Sequence, residues 1–97
     1  MRTYEAVFIL DSRKLEDSGE GFCQRVKEHV ESLGGAIGKT MNLGRKQFAR
    51  PLGRHKSGTY LDFIVTLDPE KVADFHDRYR LDSLVLRQEV FNYEPHA

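Results

Sequence analysis

A single cysteine, Cys23, means that the chain can close no intramolecular disulfide and cannot build a metal cluster on thiolates; a reducing cytosol suits it. Long hydrophobic runs are also missing. The opening MRTYEAVFIL is interrupted by Glu5 and stopped by Asp11, unlike a secretory signal or a membrane span, and Met1 is read as the start of the folded domain. With 3 prolines, 8 glycines and a net charge of zero, the composition excludes the disorder expected of Pro/Gly-rich or strongly charged chains. The most informative absence is local: from Ser32 to Leu61 there is no Asp or Glu. A chain that is neutral overall therefore leaves one zone of concentrated positive charge.

That zone is centred on GRKQFARPLGRHKSGTY, Gly44 to Tyr60, where Arg45, Lys46, Arg50, Arg54, His55 and Lys56 sit among Phe48, Pro51, Gly53 and Gly58. Clustered Lys and Arg attract polyanions, and a phosphate backbone rewards them through counterion release. A basic hairpin can also be no more than a solvated surface, so charge alone does not decide.

The 97 residues suit one domain with one modest core. Arg2 to Leu10 alternates as a strand, with Tyr4, Ala6, Phe8 and Leu10 on one face and Thr3, Glu5, Val7 and Ile9 on the other; both faces are apolar enough for a central position. Phe22, Val26, Val30 and Leu33 then recur at helical spacing. Gly19 and Gly21 weaken the first turns, which places the regular helix from about Glu20, and Gly34-Gly35 ends it. Ala36 to Leu52 is extended, bent near Gly44, and assigned to a sheet edge because Pro51 cannot donate a ladder hydrogen bond. Gly53 to Gly58 is predicted as a polar turn, and Thr59 to Leu67 as a strand whose Leu61, Phe63, Val65 and Leu67 face the core. Asp68-Pro69 starts a short helix with a buried stripe of Val72, Phe75 and Tyr79, ended at Leu81-Asp82-Ser83. Leu84 to Tyr93 is the last strand, and Glu94 to Ala97 a tail.

This order, β-α-β-β-α-β, predicts a ferredoxin-like α+β domain over residues 1–97, with strand order 4-1-3-2 and two helices on one face of an antiparallel sheet. The other face stays open.

Convergent catalytic groups are lacking. Cys23 reads as a small buried thiol, His29 and His76 as helix-face histidines without a second ligand at i+4, and His96 as part of the tail. His55 reads as a phosphate or water contact, with no carboxylate near it in sequence. Asp62 and Glu89 read as solvent-side acids on strands. No phosphate-binding loop, dinucleotide fingerprint or nucleophile elbow is present. The third strand's outward residues Asp62 and Ile64 are wrong for stacking bases, as an RNA-recognition motif would need. An acylphosphatase-like site would need a glycine-bearing loop after the first strand; Asp11 to Lys14 offers Arg13 without the glycines.

Met1-Arg2-x-Tyr4-Glu5, Gly34-Gly35, Gly44-Arg45-Lys46-x-Phe48-Ala49-x-Pro51-Leu52, Lys56-x-Gly58-x-Tyr60 and Asp82-x-Leu84-Val85-Leu86-Arg87 together resemble the bacterial small-subunit ribosomal protein S6 family. The likeness covers nearly the whole chain, and the middle motif is its specific part. It implies a non-enzymatic, ferredoxin-like protein of the cytoplasmic ribosome that binds the central domain of 16S rRNA as a heterodimer with ribosomal protein S18, needs no cofactor or metal, and takes no small-molecule substrate. Arg2, Arg45, Lys46, Arg54, Lys56 and Arg87 are then the expected rRNA contacts, with Arg2 and Arg87 expected to be neighbours on adjacent strands. Phe48, Arg50, Leu52 and Tyr60 are the expected partner surface, along the edge strand. Arg50 is a departure, since relatives usually carry an aromatic there. A reading from another class is a small regulatory domain that binds a metabolite or a protein partner, which would show an apolar pocket holding a few polar groups.

Overall fold

Period-two alternation in the first strand, β1 (Arg2–Leu10), buries Tyr4, Ala6, Phe8 and Leu10 and leaves Val7 and Ile9 half-buried on the opposite face. The computed structural model describes residues 1–93. The expected tail, Glu94 to Ala97 with His96, lies outside the described residues. A turn of 3-10 helix follows β1 at Ser12–Lys14, and then come α1 (Glu20–Ser32), β2 (Ala36–Leu52), β3 (His55–Leu67), α2 (Val72–Asp77) and β4 (Val85–Asn92). The strands form one antiparallel sheet in the order β2-β3-β1-β4, which is the expected 4-1-3-2 read from the other edge.

Both helices have local causes. Gly19 occupies the N-cap of α1 with a positive φ of 108° and no side chain, so Asp17 does the capping instead, accepting from the backbone N–H groups of Gly19 and Gly21 at 2.7 and 3.0 Å. These bonds hold the Asp17 carboxyl below its ordinary range. At the other end Gly34 turns left-handed at φ 83°, and the Gly35 N–H reaches back to the Val30 carbonyl at 3.0 Å. Gly35 then passes so close to the Thr66 carbonyl that a Cβ there would collide with backbone. Ahead of α2, Asp68 Oδ1 accepts from the Glu70 N–H at 3.1 Å and Pro69 opens a 3-10 turn. The helix proper ends at Asp77, earlier than the periodicity suggests; Tyr79 lies in the following turn yet remains buried.

Tyr79 is held there by an aromatic cluster centred on Phe8. The Phe8 ring is edge-on to Phe22, Phe63, Phe75 and Tyr79, with centroids 5.1, 5.6, 6.2 and 5.0 Å away. The Tyr79 hydroxyl lies 2.9 Å from His29 Nδ1, and the His29 ring stacks on Phe75 at 5.7 Å. Burial lowers the His29 pKa, which favours the neutral imidazole, and pushes Tyr79 up to about 12, so the pair is a hydrogen bond between two neutral groups. Among the described residues, no helix is long and apolar enough to cross a membrane.

Three differences from the sequence reading bear on function. The turn between β2 and β3 shrinks to Gly53 and Arg54, because Leu52 already pairs with His55. Gly53, at φ 59°, supplies the left-handed residue that such a tight reversal needs. Asp62 is buried, at 7% exposure, although it lies on the face without helices. Arg2 and Arg87 are not neighbours: Arg2 pairs with Leu67 of β3, whereas Arg87 pairs with Ile9 at the far end of β1. At the usual rise along a strand, Arg2 and Ile9 are about 23 Å apart.

Because Phe8 contacts both helices and β3, Phe8→Ala should cost roughly 3–5 kcal/mol of stability, measured by denaturant unfolding. Tyr79→Phe, which removes only the hydroxyl, should cost about 1 kcal/mol.

Candidate nucleic-acid interface

Pairing of β1 with β3 runs from Arg2↔Leu67 to Leu10↔Thr59, and there β1 ends. The remaining stretch of β3, His55 to Gly58, pairs only with β2, through Lys46↔Gly58, Gln47↔Ser57 and Leu52↔His55. The two strands therefore project past the sheet as a ribbon, which carries Lys46, Arg50, Arg54 and Lys56, with Arg45 at its base opposite Thr59, all exposed. Five residue steps of β2, Gln47 to Leu52, oppose only two of β3, Ser57 to His55. Pro51 falls within that unpaired excess, where its missing N–H costs no ladder bond. Further irregularities at Ile37/Lys39 and Asn42/Gly44, the latter with Gly44 at φ 80°, twist the edge strand and re-aim its side chains.

The ribbon's two faces differ. On the face without helices, Phe48 folds over Gly58: a Cβ on Gly58 would come within 2.9 Å of Phe48 Cζ and 2.7 Å of Ile9 Cγ2. The Phe48 ring lies 6.3 Å from that of Tyr60, and Lys46 Nζ sits 5.6 Å above the Tyr60 ring. Phe48 is thus a half-buried surface anchor, outside the buried core. Arg87 and Glu89 of β4 pair at 2.6 Å and, with Val7, Ile9 and Tyr60, line a hollow of about 200 Å³ on this same face. Leu52 is half-buried near the tip, and Arg50 is exposed.

On the helix side, the ribbon leans over the Ser12–Lys14 turn. Ser12 Oγ and Thr59 Oγ1 are 2.8 Å apart, and Arg45 Nε donates to Ser57 Oγ at 3.2 Å. Asp11, only 2% exposed, caps the turn by accepting the Arg13 N–H at 3.1 Å and is also reached by the Arg13 guanidinium at 3.4 Å. Burial alone would raise the Asp11 pKa, but the Arg13 hydrogen bonds and the nearby cations outweigh it and hold the carboxyl below its ordinary value. His55 Nδ1 lies 3.9 Å from Asp11 Oδ2 and 3.4 Å from Arg13 Nη2. A carboxylate does therefore stand beside His55, brought there by tertiary pairing. Between turn and ribbon lies a cleft of about 220 Å³ whose rim includes Arg13, Arg45, Arg54 and Lys56.

The expected rRNA contacts are thus brought together only in part. Arg45, Lys46, Arg54 and Lys56 share the ribbon and Arg87 lies beside its base, whereas Arg2 is at the opposite end of the sheet. Arg13, which the sequence reading considered only for a different chemistry, joins the cluster. Cys23 is half-buried, and burial with the Glu20 charge pushes its thiol pKa up, away from nucleophilic character. Among the described residues, no cluster of His, Cys, Asp and Glu could hold a metal ion.

Asp62 partners Glu5 rather than Glu89. Burial first, and the Glu5 carboxyl second, push Asp62 up to about 7, with Lys39 opposing, and Asp62 Oδ1 has no hydrogen-bond partner among the described residues. A carboxyl raised in the folded state stabilises the fold fully below its unfolded pKa, and that contribution is lost as pH rises through the folded value. Stability should therefore fall by on the order of a few kcal/mol from pH 4 to about pH 7. Asp62→Asn should flatten this slope and be more stable than wild type above neutrality, read by denaturant midpoints at pH 4.5 and 8. Asp11 and Asp82, both lowered, act with the opposite sign and only as pH falls below the ordinary carboxylate value of 3.8.

Comparison with known proteins agrees with this architecture. The family model described as ribosomal protein S6 matches residues 3–92. The small ribosomal subunit protein bS6 of Fusobacterium nucleatum is 30% identical over 87 residues, covering 90% of this chain and 93% of that protein. Its counterpart in Helicobacter pylori is 29% identical over 94 residues, covering 97% of this chain and 66% of the longer relative. Among solved structures, the 30S ribosomal protein S6 of Thermotoga maritima superposes with a TM-score of 0.87 at 26% identity, covering 95% of this chain and 87% of that one. That family is structural rather than enzymatic. By the family match across nearly its whole length, and by the sheet order that accompanies it, the chain belongs to the ribosomal protein S6 family.

Proposed function

We propose that this chain, a ribosomal protein of the small subunit, binds the central domain of 16S rRNA as a heterodimer with ribosomal protein S18, using the β2–β3 ribbon on phosphates and the face beside it on the partner. The observation that carries the rRNA half is the ribbon itself: Arg45, Lys46, Arg54 and Lys56 project on two strands and the turn between them from a stretch that contains no acid. Such an array neutralises phosphates and fixes orientation without reading bases, so specificity comes from RNA shape. Arg87 sits close enough to the ribbon's base to extend the footprint, although Glu89 offsets part of its charge. Arg2 would serve a separate contact at the other end of the sheet.

Partner docking is supported by the apolar residues grouped at the ribbon base. Phe48, Tyr60 and Ile9 form a half-buried patch continuous with Val7 on the open face, while Leu52 and Arg50 continue along the ribbon. β2 has no strand on its outer side, which leaves an edge available for backbone contact. Arg50 places a charge in this surface where relatives usually carry an aromatic, so the partner must meet it with an acid or solvent. A metabolite-binding role gains no support from the open-face hollow, whose roughly 200 Å³ lies below the usual range for small-molecule sites.

Binding of this chain together with S18 to a central-domain rRNA fragment should far exceed that of either protein alone. Across a salt series log K should fall with log salt at a slope of roughly −3 if the ribbon's cations neutralise four phosphates. Salt-independent binding, or none in any combination, would overturn the proposal. For the partner surface, Phe48→Ala should weaken the heterodimer more than it weakens the free fold, compared by calorimetry and by denaturant unfolding. Equal losses would make Phe48 a purely structural residue.

A further inference from the structure

We propose that the cleft between the Ser12–Lys14 turn and the ribbon is a seat for one RNA backbone phosphate, and that Arg13 is a direct phosphate contact. The inference rests on the rRNA reading above and adds a residue and a site to it. Arg13 belongs to a different segment from the ribbon and comes from the helix side, so the cleft receives cations from two directions: Arg13 from one wall, Arg45, Arg54 and Lys56 from the other. Convergence of this kind distinguishes a seat from a string of surface charges. The opening is polar, with Ser12 and Ser57 hydroxyls among its lining, and its volume of about 220 Å³ admits a phosphate group with accompanying water.

Among the described residues, the one acid lining the cleft does not spoil the site. Asp11 lines the cleft but is only 2% exposed, and it accepts the backbone N–H of Arg13 at 3.1 Å and its Nε at 3.4 Å. Its carboxylate uses the Nε side of the fork, so Asp11 acts as a positioning residue that stiffens a side chain 72% exposed. Arg13 Nη2 reaches His55 Nδ1 at 3.4 Å, which ties the turn to the first residue of β3. Among the described residues, counting Asp11 against Arg13 still leaves Arg45, Arg54 and Lys56 uncompensated within the cleft, a surplus that favours a dianion or a phosphodiester over any cation.

The test uses the full chain with S18 and the central-domain rRNA fragment, comparing wild type with Arg13→Gln and Arg13→Lys across a salt series. Arg13→Gln should bind severalfold more weakly and show a salt slope smaller in magnitude by about 1, the loss of one neutralised phosphate. Arg13→Lys should restore most of the slope. An unchanged affinity and slope in Arg13→Gln, with wild type binding normally, would overturn the seat and leave the rRNA reading standing. Weaker binding with an unchanged slope would also overturn it, because Arg13 would then act only by shaping the turn. If wild type itself shows no salt-dependent binding, both readings fall together.

Discussion

Antiparallel pairing of β1 with β3 is the interaction on which the rest of this molecule depends. It sets Phe8 against Phe63 and the two helices, and it decides where β1 stops relative to β3. Because β1 ends at Leu10 opposite Thr59, β3 and its partner β2 must continue without a third strand, and the basic ribbon is that continuation. The chain leaving β1 at the same point turns through Asp11 to Lys14 directly beneath the ribbon. A shift of the register by one residue would turn every β1 side chain to the opposite face and lose the core. The aromatic cluster thereby protects the geometry of the cation cluster without touching it.

Charge is distributed to the same end. The acids of this neutral chain are kept out of the projecting ribbon, and among the described residues the acid that does approach the cleft, Asp11, is buried and engaged by Arg13. A buried carboxylate beside the proposed phosphate seat would ordinarily oppose binding. Here it fixes the Arg13 side chain, and the surplus of positive charge stays at the opening. Counterion release rewards the number of phosphates neutralised and is indifferent to base sequence, which suits the proposed recognition of a folded rRNA by shape.

The face without helices has a different chemistry. Phe48, Tyr60, Ile9 and Val7 are apolar, Arg87 and Glu89 compensate each other, and Asp62 lies buried beside Glu5 with an oxygen unpartnered among the described residues. A protonated carboxyl tolerates such a position better than a charged one, which is why burial raises its pKa. Two contiguous surfaces, one cationic and one largely apolar, thus meet at the ribbon base. The proposed placement between an rRNA and a protein partner needs that division.

Element order, sheet order, the central position of β1 and the edge position of β2 were legible from the sequence, because alternation, helical spacing, glycine stops and Pro51 are local signals. So was the basic zone, since charge is composition. The sequence alone also supplied the residue types of the proposed partner surface. What only the tertiary structure decided is which of these residues meet. Arg2 and Arg87 lie on adjacent strands as expected, yet antiparallel register puts them at opposite ends of β1. Asp11 and Arg13 join His55 across more than forty residues of chain. Asp62, on a strand face that looked open to solvent, is covered by its neighbours. Register, bulges and burial arise from pairings between distant segments, and no periodicity within one segment encodes them.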